Sequence, residues 1–210
     1  MKNLVLFDWN GTLYDDVSDW FKAVRDVFSY FGKKPPTIKQ YFAELQGDYL
    51  EIYQKRGIVI SREELGKIYD GFYWRRTQKS SLFPSTTRVL KILSEDKNTI
   101  VGLITMQRRE LCEPLLEKFG IRKYFDYTKF HALDKTATIK ELVKKEKVSP
   151  KRCWYIGDAP ADMRNARSAG VRGIGFLHGL VPLGYFTDTG AFGFVCDLDF
   201  VLSYVFGNPD

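Results

Sequence analysis

The chain has 210 residues, of which 44% are hydrophobic, 28% charged and 15% aromatic, with a formal net charge of +6. These proportions lie near globular averages and exclude the disordered and fibrous classes, and the length suits one good-sized core plus a smaller accessory domain. No apolar stretch approaches the roughly 20 residues that cross a bilayer, and the run before Asp8 is too short for a signal-peptide core, so a cytoplasmic protein with no membrane partner is expected.

In chain order, the first predicted strand is Leu4-Val5-Leu6-Phe7, which stops at Asp8. From about Asp15 to Leu82 the spacing is helical instead. Trp20, Val24, Val27, Phe28 and Phe31 fall on one helix that Gly32 and Pro35-Pro36 end, and Tyr41 to Gln54 and Glu63 to Lys79 give two more. This block reads as a helical insert lying over a crevice. A helix follows Pro84 from about Thr86 to Glu95, and a strand from Thr99 to Ile104 stops at Thr105. Next come a helix from Arg109 to Phe119, closed by Gly120, and one from Thr136 to Lys147, closed by Ser149-Pro150. Cys153-Trp154-Tyr155-Ile156 forms a strand ending at Gly157-Asp158, Asp162 to Ala169 a helix capped by Gly170, and Val171 to Leu177 a last strand.

Strands alternating with helices predict an α/β fold, a Rossmann-like doubly wound parallel sheet. Residues 1–14 and 83–210 form its core, and 15–82 the inserted helical domain. Ligands bind such sheets beyond the carboxyl ends of the strands, so Asp8, Thr105 and Asp158 should converge on one crevice. Lysines and arginines alternate with acids, as in Arg62 to Lys67 and Lys140 to Lys147, which describes solvated helix faces rather than a nucleic-acid surface. The modest positive field would gather small anions. Cys112, Cys153 and Cys196 are odd in number and lack CxxC spacing, and read as reduced core residues.

The polar residues at the strand ends have complementary chemistry. A carboxylate at Asp8, followed by a tight turn at Gly11, is placed for in-line attack on phosphorus. Gly11 lets backbone approach a phosphate, and Thr12 adds a hydroxyl. Thr105, with the Met106 N–H at a helix start, could hold a phosphate oxygen, and Lys135 could neutralise phosphate and nucleophile together. Asp158 and Asp162 offer the hard oxygen ligands that suit Mg²⁺. Each has a plain structural reading by itself: a turn cap for Asp8, an N-cap for Thr105, a solvated lysine at 135, a Gly-Asp turn and helix opening at 157–162. Their order along the chain and their common placement favour the chemical reading.

These residues resemble the haloacid dehalogenase superfamily, in its phosphoglycolate-phosphatase-like branch with a helical C1-type cap. The resemblance is carried by the FDxxGTL start (Phe7 to Leu13), Phe83-Pro84, Gly102 to Thr105, Leu116 to Ile121 and Tyr124-Phe125-Asp126. It continues through Lys135, Tyr155-Ile156-Gly157-Asp158 with Asp162, and Ala166 with Ala169-Gly170-Val171. It implies a phosphatase in which Asp8 is the nucleophile. The Asp8 carboxylate, the Asn10 backbone carbonyl and Asp158 would ligate Mg²⁺, with Asp162 close by or acting through water. Thr105 and Lys135 would hold the phosphate of a small phosphorylated substrate. The insert would close as a cap, exclude water and select that substrate; Trp20, Arg25, Arg56, Arg75 and Arg76 are its aromatic and basic candidates. A monomer or homodimer is expected.

One departure bears on mechanism. The branch typically carries an aspartate, the general acid/base, where this chain has Asn10. An amide exchanges no proton near neutral pH, and such help is typically worth about 10²–10⁴-fold. Acyl phosphates would need it least, another acid such as Asp15, Asp16 or a cap residue could replace it, or the chain could be a slow or regulatory phospho-ligand-binding member. Met106-Gln107 and Lys135-Thr136 also depart from the usual asparagine and proline, without removing a necessary group. Asp158 and Asp162 argue against haloacid chemistry, and Asn10 against a mutase. A phosphonatase would need a cap lysine such as Lys22, Lys39 or Lys55.

Overall fold

Leu4 and Leu6 face one side of the first strand, β1 (Asn3–Phe7), and Val5 and Phe7 face the other; all four are fully buried. That two-sided burial is why the run is continuously apolar. The computed structural model describes residues 2–44, 49–77 and 79–207. Within them β1 lies near the middle of a six-stranded sheet. Its other strands are β4 (Thr99–Ile104), β5 (Tyr127–Lys129), β6 (Cys153–Gly157), β7 (Arg172–Phe176) and β8 (Gly193–Val195), in the order β5-β4-β1-β6-β7-β8. All five pairings are parallel. Tyr14–Asp15 (β2) and Ser81–Leu82 (β3) pair separately.

Helices cover both faces, as the alternating pattern requires. Val5, Phe7, Val101, Leu103, Trp154 and Ile156 pack with α5 (Thr86–Glu95), α6 (Arg109–Lys118) and α9 (Phe200–Phe206) through Leu90, Leu116 and Val201. Leu4, Leu6, Cys153 and Tyr155 pack with α7 (Lys135–Glu146) and α8 (Pro160–Ala169) through Ile139, Leu142 and Ala166. The predicted strands and core helices are present with ends shifted by at most two residues. The strands β5 and β8 and the helix α9 are additions. Cys112 and Cys153 are buried, but Cys196 is exposed and is no core residue.

The chain divides into two compact units, one of Asp16–Ser81 and one of the residues on either side. In the helical unit, α1 (Val17–Tyr30) packs along α4 (Arg62–Thr77), and Val24, Val27, Phe28, Ile52, Tyr53 and Leu65 make its core. The phenyl ring of Phe28 stacks on Tyr53 at 4.7 Å. In place of the single helix expected from Tyr41 to Gln54 there are two, α2 (Ile38–Glu44) and α3 (Leu50–Gln54), and residues 45–48 fall outside the described residues. The helix expected to reach Lys79 ends at Thr77, with Gln78 likewise outside. Two of the basic side chains expected to read a substrate are engaged inside the unit: Arg56 binds Glu44 at 2.7 Å and Arg76 binds Asp26 at 2.7 Å. Asp16 is buried and accepts the Tyr73 hydroxyl at 2.8 Å, so as a spare acid it is already partnered.

Candidate active site

The parallel register builds the site. Phe7 pairs with Leu103 on one side and Ile156 on the other, so the residues that follow β1, β4 and β6 emerge together at one edge. Asp8 extends the ladder by one bond, its N–H donating to the Ile156 carbonyl at 2.9 Å, which holds its Cα rigidly. Its Oδ1 accepts the Trp9 N–H at 2.8 Å and its Oδ2 lies 2.8 Å from Lys135 Nζ. Lys135 opens α7, and the same Nζ donates to Asp162 Oδ1 at 2.8 Å. Lys135 is 7% exposed, so the plain alternative of a solvated lysine is excluded.

Asp162 sits in the first turn of α8. Its Oδ2 accepts the Ala159 N–H at 3.1 Å, which serves the helix start. Its Oδ1 takes the Tyr155 hydroxyl at 3.2 Å in addition to Lys135. The residue is therefore both helix opener and site carboxylate. Asp158 directly follows β6, and Gly11 turns beneath it with φ +69°; a Cβ on Gly11 would lie 2.3 Å from Asp158 Oδ2. Only glycine fits there. Thr12 is fully buried, and its hydroxyl donates to Asp158 Oδ1 at 3.1 Å rather than standing open for a phosphate.

Asp8, Asp158 and Asp162 thus each present an oxygen within 4.8 Å of the others. Three carboxylates face one ammonium, so the cluster carries excess negative charge. Burial pushes Asp8 up; Lys135 pulls it down, but Asp162 and Asp158 push it up again, to about 7. For Lys135, burial works against the charged form, yet Asp162 and Asp8 outweigh it and hold the ammonium well above its ordinary value. An all-oxygen donor set with a charge deficit that a divalent cation would cancel, in a cradle that a Gly11 or Gly157 Cβ would fill, fits Mg²⁺.

Thr105 follows β4 and is 1% exposed. Its N–H binds the Lys129 carbonyl at 3.0 Å, its carbonyl accepts from Ala132 at 2.9 Å, and its hydroxyl accepts the Gln107 N–H at 3.0 Å. The next helix begins only at Arg109, capped by Arg108, so Thr105 is not its N-cap and Met106 does not lie at a helix start. Met106 is exposed in the intervening turn. Asn10 is half-buried, and its backbone bridges to Tyr14.

Two residues of the site went unread in the sequence. Tyr155 is one. The other is His178, whose Nε2 lies 3.1 Å from Asp158 Oδ2. It stands two residues past β7, the strand beside β6, so the strand-end rule that found Asp158 would also have found it, and it is one of only two histidines in the chain.

Residues 5–176 match the family of haloacid dehalogenase-like hydrolases. A phosphoglycolate phosphatase of Pseudomonas fluorescens (strain Pf0-1) is 24% identical over 194 residues, covering 85% of this chain and 71% of the relative. One from Agrobacterium fabrum is 27% identical over 191 residues, covering 84% and 81%. Among solved structures, a haloacid dehalogenase-like family hydrolase from Streptococcus pneumoniae superposes with a TM-score of 0.76 at 20% identity, covering 97% of this chain and 98% of that one.

Proposed function

Because the chain belongs to the haloacid dehalogenase-like hydrolases, we propose that it is a Mg²⁺-dependent phosphatase of small phosphorylated metabolites, acting through an aspartyl-phosphate on Asp8. The observation that carries this reading is the cluster of three carboxylates within 4.8 Å at the strand ends, two of which, Asp8 and Asp162, share the buried Lys135 ammonium. Asp8, Asp158 and the Asn10 carbonyl would hold the cation, with Asp162 beside them. When bound, Mg²⁺ neutralises charge that nucleophile and phosphate otherwise share.

Asp8 then attacks phosphorus, the bond from phosphorus to the leaving oxygen breaks, and water cleaves the acyl phosphate in a second step. Lys135, 2.8 Å from Asp8 Oδ2, screens the nucleophile from the incoming phosphoryl oxygens. Thr105, one residue beyond the level of Asp8 on the neighbouring strand, borders the phosphate, and Gly11 leaves room for it. The helical unit Asp16–Ser81 serves as the cap that excludes water and selects the substrate.

Asn10 sets the substrate class. With an amide where the family's acid stands, the leaving oxygen departs without a proton from that position, which favours acyl phosphates and other good leaving groups. The name phosphoglycolate phosphatase, carried by relatives, makes small phosphorylated carboxylic acids the first series to compare. The test is hydrolysis of acetyl phosphate and p-nitrophenyl phosphate with Mg²⁺, lost on EDTA addition and in Asp8→Ala. Turnover that survives both treatments refutes the mechanism. Binding of phosphate analogues without turnover of any substrate would instead favour a regulatory role, the reading that Asn10 also allows.

A further inference from the structure

The site as proposed uses the carboxylate of Asp158 but does not account for what lies behind it. Asp158 directly follows β6 and is partly buried, and a carboxylate there needs its plane fixed if it is to meet a cation at a set distance. Two donors reach it from the protein side. Thr12 donates to Oδ1 at 3.1 Å, and His178 lies 3.1 Å from Oδ2. Each carboxylate oxygen has about two acceptor positions, so both donors can remain while the outer lone pairs stay free.

The His178 ring is itself fixed. Its side chain is 2% exposed. It stacks on Phe83 at 6.1 Å with 21° between the planes, and meets the edge of Phe176 at 6.3 Å. The Leu180 N–H donates to Nδ1 at 3.3 Å. A nitrogen that accepts carries no proton, so the neutral ring holds its proton on Nε2, the atom facing Asp158. Apolar packing alone would not need a histidine with its second nitrogen tied to a backbone N–H and its first aimed at a site carboxylate.

We propose that His178 is a positioning residue: the chain Leu180 N–H to Nδ1, then Nε2–H to Asp158 Oδ2, orients the carboxylate for the divalent cation. The inference rests on the metal-dependent reading above and adds to it a residue that touches neither metal nor substrate. Outer partners of this kind are typically worth about 10–100-fold in metal affinity.

Direct Mg²⁺ titration by calorimetry tests this without recourse to turnover. His178→Leu keeps an apolar side chain between the two phenyl rings but removes the donor, and should weaken Mg²⁺ binding about 10–100-fold. His178→Gln, whose amide nitrogen reaches the height of Nε2, should recover affinity close to that of the unsubstituted protein. If the leucine variant does not fold, His178→Asn, too short to reach Asp158, should show the same weakening. Thermal melting in EDTA reports whether each variant is folded. Equal Mg²⁺ affinity in the leucine or asparagine variant and the unsubstituted protein overturns the positioning role alone, as does a glutamine variant as weak as leucine. Failure of the unsubstituted protein to bind Mg²⁺, or an Asp158→Ala variant that binds as tightly as it does, overturns the metal reading and this inference with it.

Discussion

Replacing the proposed nucleophile should stabilise the cation-free protein. Asp8→Asn removes a charge that the fold tolerates poorly, since burial and the neighbouring Asp162 and Asp158 hold its carboxyl at about 7 against an ordinary 3.8. A raised carboxyl stabilises the fold fully below the unfolded value, and that contribution is lost as pH rises through the folded value. Between about pH 4 and pH 7 the loss is on the order of 4 kcal/mol, at 1.36 kcal/mol for each tenfold change in proton affinity. The amide does not recover all of it. With its oxygen kept on the Trp9 N–H, its NH₂ faces Lys135 Nζ where Asp8 Oδ2 stood at 2.8 Å, and a lost charge-assisted bond costs about 1.5–3 kcal/mol. A net gain of about 1–3 kcal/mol remains at pH 8, worth roughly 2–12 °C in melting temperature for a chain of this size. Melting both proteins in EDTA at pH 5 and pH 8 should therefore show the variant's advantage growing with pH, while all phosphatase turnover is lost. Mg²⁺ should raise the melting temperature of the unsubstituted protein and close the gap. A variant less stable than the parent at pH 8 in EDTA would show that Lys135 outweighs burial at Asp8, and would refute the charge argument.

Asn10→Asp should raise kcat on alkyl phosphates by up to about 10²–10⁴-fold and change acyl phosphate hydrolysis far less; equal gains on both classes would dismiss the leaving-group account. Gly11→Ala should cost about 1–3 kcal/mol through its φ of +69°. It should also weaken Mg²⁺ binding, because the new Cβ would stand 2.3 Å from Asp158 Oδ2; unchanged melting and affinity would contradict both effects. Asn10-Gly11 is a dipeptide disposed to deamidate, but attack on the amide needs the Gly11 nitrogen, whose N–H is bound at 3.0 Å to the carbonyl of Tyr14, a buried residue whose ring stacks on Trp9. Mass spectrometry should accordingly find Asn10 intact in the native protein under conditions that convert it in urea, and equal rates in the two states would count against this protection.

What could be read from the sequence follows from which forces are local. Strands buried on both faces announce themselves as unbroken apolar runs, and each run here ended at a residue of the site. The elements missed were short or lacked contrast. Tyr127–Lys129 and Gly193–Val195 have three residues each, too few to show a period. Phe200–Phe206 is apolar nearly all round, yet only Val201 and Val205 are buried while Phe200 and Phe206 are largely exposed. Such a segment has no polar face to reveal a helical repeat. Roles that depend on tertiary context were legible only from the motifs in combination. Lys135 looks like any helix-opening lysine until the first turn of α7 is seen to meet the ends of two other segments, and Thr105 looks like an N-cap until its hydroxyl is found on Gln107.

The geometry also separates two tasks that a phosphatase must perform. Holding a cation and a phosphoryl group needs only fixed charges, and Asp8, Lys135, Asp158 and Asp162 would supply these from one cluster. Moving a proton needs a group that titrates, and Asn10 does not. The cation task bears even on the proposed nucleophile: burial, Asp162 and Asp158 push the Asp8 carboxyl up against the pull of Lys135, and a divalent charge beside it would favour the carboxylate. Mg²⁺ would then both complete the site and activate the attacking oxygen, whereas nothing at position 10 could assist the departing one. The barrier should accordingly track the leaving-group pKa steeply across a series of aryl and acyl phosphates, and Asn10→Asp should flatten that dependence. An equally shallow slope in both proteins would mean that some other acid protonates the leaving oxygen.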